Sequence, residues 1–307
     1  MSMFVQLPPE KYDKKIFDRF SAQRGRFDLD DARAMMWMSQ LSYETGAPDT
    51  IKEVAAAWNL KPRDPIRARG ILIDTRVIIG ERPDCTIVAF AGTDPALASN
   101  LITDVMVRLT SSDTHEGFQK AFDAAWDQIK PAIENSARPL FFTGHSLGAA
   151  LAVLAAERAC DSGMMPAAVY TFGMPRAGGA TFATRYNEKL GDRTFRLVHG
   201  GDIVPCIPEW FARLLPPSRI SFQHVGRMLK CESGAKFDQA ATLAVLSCND
   251  PAFRAGVREN WINRKTSLLA GDMFAPAGPG PLGQFLRFLP FAIRDHLPDR
   301  YIHSLED

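Results

Sequence analysis

The 307 residues are 46% hydrophobic and 23% charged, proportions of an ordinary globular chain that exclude a disordered, collagen-like or low-complexity protein. Lysine and arginine number 36 against 35 acidic residues, a net charge of +1, so the chain carries no broad positive field and no nucleic-acid partner is expected. The five cysteines contain no C-x-x-C pair and are odd in number, which argues against a disulfide framework or a cysteine zinc site.

The N-terminal MSMFVQLPPEKYDKK has no basic segment followed by an apolar run, so no secretory signal is read there. Nothing in the chain approaches the roughly 18 apolar residues of a membrane span. The expected location is therefore cytoplasmic or reached by non-classical secretion. Residues 1–28 read as an N-terminal helical extension. Residues 29–44 (LDDARAMMWMSQLSYE) place Ala32, Met35, Met36, Ser39 and Leu41 to Tyr43 at helical spacing. Thr50 and Glu53 form a capping-box signature ahead of the helical VAAAWNL. GILIDTRVIIG and CTIVAFAG are apolar and β-branched, and Glu81-Arg82-Pro83-Asp84 between them has turn composition; they predict two adjacent strands.

Strands and helices then alternate. Residues 116–130 predict a helix with Phe118, Phe122, Trp126 and Ile129 on one stripe. PLFFTG, AAVYTFG and TFRLVHG predict strands, and LGAALAVLAAERAC and TFATRYNEKLG predict helices. This alternation implies an α/β fold, a mainly parallel central sheet with helices on both faces. Residues 276–283, PAGPGPLG, break the pattern and set off a tail, 276–307, too short to be a domain. We expect a single domain over 1–307.

Gly144-His145-Ser146-Leu147-Gly148 is a G-x-S-x-G sequence. Composition alone produces such a match in about one chain in ten of this length, so its setting carries the weight. An apolar strand precedes it and a long helix of small residues follows, the strand–turn–helix context that the motif requires. A serine there sits on a tight turn with glycines on both sides, its hydroxyl lifted to the N-terminus of a helix, where the dipole favours a developing anion.

These residues carry a resemblance. GHSLGAALAVLAA, then YTFGMPRAG, then GGDIVPCIP, with VAFAGTD and HEGFQKAFDAAW upstream, resemble the class 3 lipases, the fungal-type lipases of the α/β-hydrolase superfamily. Five motifs stand in the family's order, over roughly residues 30–225 and again near the C-terminus. The resemblance implies the α/β-hydrolase fold and hydrolysis of carboxylic esters, with acylglycerol lipids as the expected substrate and a lipid–water interface as a place of action. It implies no metal or organic cofactor and no required protein partner.

A serine hydroxyl needs a base to take its proton, and the base needs an acid to fix its tautomer. Chain order in these hydrolases is serine, acid, histidine. Asp202 lies just past the strand TFRLVHG on a Gly-Gly loop, with Asp192 and Glu209 as competitors; the resembled motif has its aspartate at Asp202. Three histidines follow: His224, His296 and His303. His296, in DHLPDRYI, resembles the family's late histidine with an aromatic residue about a turn beyond, whereas His224 resembles a structural histidine that follows the acid. The inventory is thus Ser146, Asp202 and His296. His145 is expected to point away from the reaction, His115 to order the loop before its helix, and His199 to be a satisfied strand-end residue.

The oxyanion should meet the backbone N–H of Leu147 and that of Thr93, whose hydroxyl is a further donor. The family pattern has arginine where this chain has Ala91, so the polar network behind that position is expected to differ. The segment 94–104 stands where the family carries its amphipathic lid, with Leu97, Leu101 and Ile102 as an apolar underside. Residues 210–215 and 282–293 are bulky apolar stretches that could wall an acyl pocket or pack in the core. The alternatives to a lipase are an esterase for soluble short-chain or aryl (feruloyl-type) esters and a non-catalytic lipase-like binding protein.

Overall fold

The computed structural model describes residues 6–22, 25–69, 74–92, 114–202, 204–206, 222–238 and 295–306. In chain order the principal elements are α1 (Leu29–Leu41), α2 (Pro48–Ala57), β1 (Lys61–Pro62), β2 (Ile66–Arg69), β3 (Asp74–Glu81), β4 (Thr86–Phe90), α3 (Thr114–Ile133), β5 (Leu140–His145), α4 (Leu147–Asp161), β6 (Ala168–Phe172), β7 (Gly178–Gly179), α5 (Ala180–Leu190), β8 (Thr194–His199), β9 (Phe222–Gln223), β10 (Arg227–Cys231) and α6 (Pro298–Leu305).

Eight strands form one sheet in the order β1-β3-β4-β5-β6-β8-β10, with β2 beside β1 on the same edge of β3. β3 and β4 are the antiparallel neighbours read from their apolar runs. From β4 onward every pairing is parallel. Strands covered on both faces can be apolar at every position, which is why β4, β5, β6 and β8 are buried throughout. Alternate residues then serve opposite layers. Ile87, Ala89 and Phe141 pack with α1, α2 and α6 on one face. Val88, Phe90, Leu140 and Phe142 pack with α3, α4 and α5 on the other. The small residues of α4, seven of them buried alanine or glycine, let that helix lie close against β5.

Two local expectations are corrected. The second helix begins at Pro48 rather than after Thr50, with Ala47 as its cap and no side-chain cap bond. Proline at the first helical position supplies the start, and Thr50 lies inside the helix. The N-terminal stretch shows one 3-10 turn, Pro9–Lys11, and no α-helix among residues 6–22. Instead Tyr12, Phe17 and Phe20 anchor it by burial against Trp37, Trp58 and Phe141. The predicted helix at 29–44 divides into α1 and a 3-10 turn, Ser42–Glu44, and α1 is capped by Asp28, whose carboxylate accepts from the Asp31 N–H. Among the described residues no helix is long and apolar enough to cross a membrane.

Candidate active site

The turn from β5 to α4 forces Ser146 to φ +58° and ψ −129°, a strained conformation for a residue with a side chain. Its neighbours must be glycine. A Cβ on Gly144 would strike the Gly148 carbonyl, and one on Gly148 would strike the Phe90 carbonyl of the adjoining strand. Ser146 is half-buried at the first turn of α4, and Leu147 is the first residue of that helix. First-turn N–H groups have no partner within their own helix, which leaves the Leu147 N–H without an intrahelical acceptor.

Asp202 stands past the end of β8, fully buried. A buried carboxylate is tolerable only when it is well hydrogen-bonded. Asp202 accepts from Tyr301 at 2.6 Å and from His296 Nδ1 at 2.9 Å, both on Oδ2, and from the Val204 N–H at 2.9 Å on Oδ1. His296, just ahead of α6, places Nε2 2.8 Å from Ser146 Oγ. An ionised carboxylate only accepts, so Nδ1 carries the ring proton and Nε2 presents its lone pair to the serine hydroxyl. The structure therefore brings Ser146, His296 and Asp202 into one hydrogen-bonded chain from three distant parts of the sequence. Burial, then the adjacent Asp202 charge, push the Tyr301 phenol well above its ordinary pKa, which keeps it a donor.

The loops carrying Asp202 and His296 are pinned to each other. Asp295 is buried and accepts from the Gly201 N–H at 2.8 Å and from Ser233 at 3.3 Å. The Tyr301 hydroxyl accepts from the His199 N–H at 3.1 Å. Gly173, ending β6 at φ +59°, faces the pair itself: a Cβ there would lie 2.7 Å from Asp202 Oδ2 and 2.8 Å from His296 Nδ1. Sequence reasoning quoted the motif containing Gly173 but did not assign it this place. Its signal was available only as a strand-ending glycine.

The other candidates lie elsewhere. His224 Nε2 is 2.7 Å from the Pro205 carbonyl, and His303 is exposed beside Glu306 at 2.9 Å. Asp192 is largely exposed and paired with Arg227. His199 is buried against the Asp295 carbonyl and the Gly234 N–H, as a satisfied strand-end residue should be. His145 points from the elbow to the opposite face, toward Tyr43. His115 falls within α3. Thr93, Glu209 and the segments 94–104, 210–215 and 282–293 lie outside the described residues. The described backbone reaches Gly92, which sits against the elbow; a Cβ there would come within 3.0 Å of Ser146 Cβ. Although residue 91 is alanine, an arginine does serve this strand end: Arg76, from neighbouring β3, donates to the Gly92 carbonyl at 2.9 Å. Among the described residues no cluster of three histidine, cysteine, aspartate or glutamate side chains could hold a metal ion.

Residues 87–212 match the family model for lipase (class 3). A secreted mono- and diacylglycerol lipase of Malassezia globosa is 34% identical over 116 residues, which is 35% of each chain. Another from Malassezia restricta is 32% identical over 196 residues, 57% of this chain and 59% of that one. The chain thus spans between about a third and three-fifths of the length of these curated relatives. Among solved structures, the Lip2 lipase from Yarrowia lipolytica superposes with a TM-score of 0.54 at 18% identity, over 72% of this chain and 86% of that one. Lipase II from Rhizopus niveus gives 0.54 at 21% identity, over 67% and 81%. At such identities the likeness is one of fold. The segment 87–212 is thus similar to the class 3 lipases, and the fold of the chain is the α/β-hydrolase fold.

Proposed function

We propose that this protein hydrolyses carboxylic esters of lipids, acylglycerols above all, at a lipid–water interface. The observation that carries the proposal is the hydrogen-bonded chain Ser146–His296–Asp202 on a strained elbow. The match of residues 87–212 to the class 3 lipase model and the mono- and diacylglycerol lipases among the chain's relatives support the substrate class.

In this reading the ester carbonyl carbon approaches Ser146 Oγ. His296 Nε2 takes the hydroxyl proton as the C–O bond forms, and the ring becomes an imidazolium. Asp202 stabilises that cation through Nδ1–H while Tyr301 and the Val204 N–H hold the carboxylate in place. The carbonyl oxygen, now an anion, is met by the Leu147 N–H at the positive end of α4 and by Thr93. His296 then returns its proton to the departing alcohol. Water, activated by the same imidazole, cleaves the acyl-enzyme and regenerates Ser146.

A fluorophosphonate probe tests this directly. It should label the parent protein at Ser146, and Ser146→Ala should neither label nor hydrolyse esters while keeping its circular dichroism. Labelling at another residue, or a folded Ser146→Ala protein that keeps more than a few per cent of activity, would overturn the assignment. Raising the acyl length through the solubility limit should raise the rate; a preference for dissolved short esters would replace the lipid reading with an esterase.

A further inference from the structure

His145 is buried behind the elbow, fixed at both ring nitrogens, and touches none of the reacting atoms. Alternation along β5 turns its side chain to the α1 face, away from α4. Its Nε2 lies 2.7 Å from the main-chain oxygen of His296. A carbonyl only accepts, so Nε2 carries the proton. Nδ1 therefore presents a lone pair, and Tyr43 Oη, 2.8 Å away, donates to it. Its ring stacks behind that of His296, centroids 4.7 Å apart and planes 30° from parallel, while Tyr301 closes the edge at 5.8 Å.

We infer that His145, set in its tautomer by Tyr43, is a positioning residue that holds the backbone of the base His296 in register with the serine. The inference rests on the hydrolase reading above. His296 is oriented at two points, its Nδ1 by Asp202 and its main-chain carbonyl by His145. Two fixed points on one residue determine where Nε2 aims. The second is supplied by the residue covalently next to Ser146, so nucleophile and base are joined by one peptide link and one hydrogen bond. Such a device needs a rigid side chain offering one donor and one acceptor in opposite directions, which neutral imidazole provides. Tyr43 extends the device: Arg76 lies over its ring at 5.7 Å and donates to the Gly92 carbonyl, so the strand leading to Thr93 leans on the same support.

The test separates the two ring nitrogens. Glutamine can reproduce the Nε2–H donor, and asparagine the Nδ1 acceptor. His145→Asn should lower kcat by about tenfold to a hundredfold with KM within about twofold, since misplacement on the ångström scale costs rates of this order. His145→Gln should recover most of that loss. Tyr43→Phe should lower kcat several-fold in the parent and have no effect on top of His145→Gln, because the tautomer no longer needs fixing. Fluorophosphonate labelling rates should follow kcat. Equal losses for asparagine and glutamine, or a Tyr43→Phe effect that is the same in both backgrounds, would overturn the inference. If neither His145 variant folds, Tyr43→Phe decides alone: a lower kcat at unchanged KM supports it, and parental kcat refutes it. An inert, unlabelled parent would sink the hydrolase reading and this inference together. A labelled parent with unaffected variants would sink only the inference.

Discussion

Replacing Gly173 by alanine should damage the site far more than the fold. The added methyl would lie 2.7 Å from Asp202 Oδ2 and 2.8 Å from His296 Nδ1, against the very hydrogen bond that joins them. Ordinary non-bonded contact is about 3.5 Å, so the pair must separate from β6 by roughly 0.8 Å. Errors of about 1 Å in catalytic geometry cost about 10²-fold in rate, so kcat on a soluble ester should fall by about 30-fold to 100-fold, with KM little changed. The backbone at φ +59° adds a left-handed penalty of roughly 1–2 kcal/mol for alanine, a few degrees in Tm for a protein of this size. Gly163→Ala supplies the control: φ there is +82° with nothing within 4 Å of the added methyl, so it should show a similar drop in Tm at parental kcat. Parental kcat for Gly173→Ala, or equal activity losses for both variants, would refute the steric argument.

Three further outcomes follow from the arrangement. His296→Ala should lower kcat by several orders of magnitude, whereas His224→Ala should cost only stability or a modest fraction of rate through its bond to the Pro205 carbonyl; steady-state kinetics on both variants, with the reverse pattern, would reassign the base. Burial, then the neighbouring His296, hold the His145 imidazole well below its usual pKa. Below about pH 6.5 the unfolded chain therefore binds a proton that the folded chain refuses. Stability from this group is full above that pH and falls on acidification by up to about 1.4 kcal/mol per unit. Tm measured from pH 7.5 to 4.5 should thus fall less for His145→Gln than for the parent, and matching slopes would contradict it. Changing Leu97, Leu101 and Ile102 to serine should hurt emulsified long-chain esters more than dissolved short ones, and equal losses would mark the segment after Thr93 as a plain structural loop.

What could be read from the sequence was what is decided locally. The elbow was legible because a serine at positive φ between two close-packed surfaces restricts residues 144, 146 and 148 by itself. The strands β4, β5, β6 and β8 were legible because doubly covered strands leave continuous apolar runs. Asp202 could be placed by its strand and glycines, whereas His296 needed the resemblance, since no local pattern separates it from His224. Gly173, Tyr301, Asp295 and Tyr43 escaped because their roles exist only after folding: Tyr301 meets a carboxylate 99 positions away, and Tyr43 an imidazole 102 away. The start of α2 was misread because proline at Pro48 outweighed the Thr50–Glu53 pattern.

Residues 295–306 bring His296, Tyr301 and a short amphipathic helix to a sheet whose described strands all precede them in the chain. Their attachments are side-chain and terminal contacts rather than strand pairing, among them Phe237 N–H to the Ser304 carbonyl at 2.8 Å, Arg33 to the Leu305 carbonyl, Gly201 N–H to Asp295, His145 to the His296 carbonyl, and the burial of Tyr301 and Leu305. A unit held this way can open without the sheet melting, as cooperative subunits of many folds do. Such an opening would strip the serine of its base and the acid of its tyrosine in a single event, leaving a well-folded but silent protein. Loss of activity on heating and loss of secondary structure should then trace separate curves, with activity failing first, and a lipid or acyl-enzyme that engages His296 would draw the two curves together.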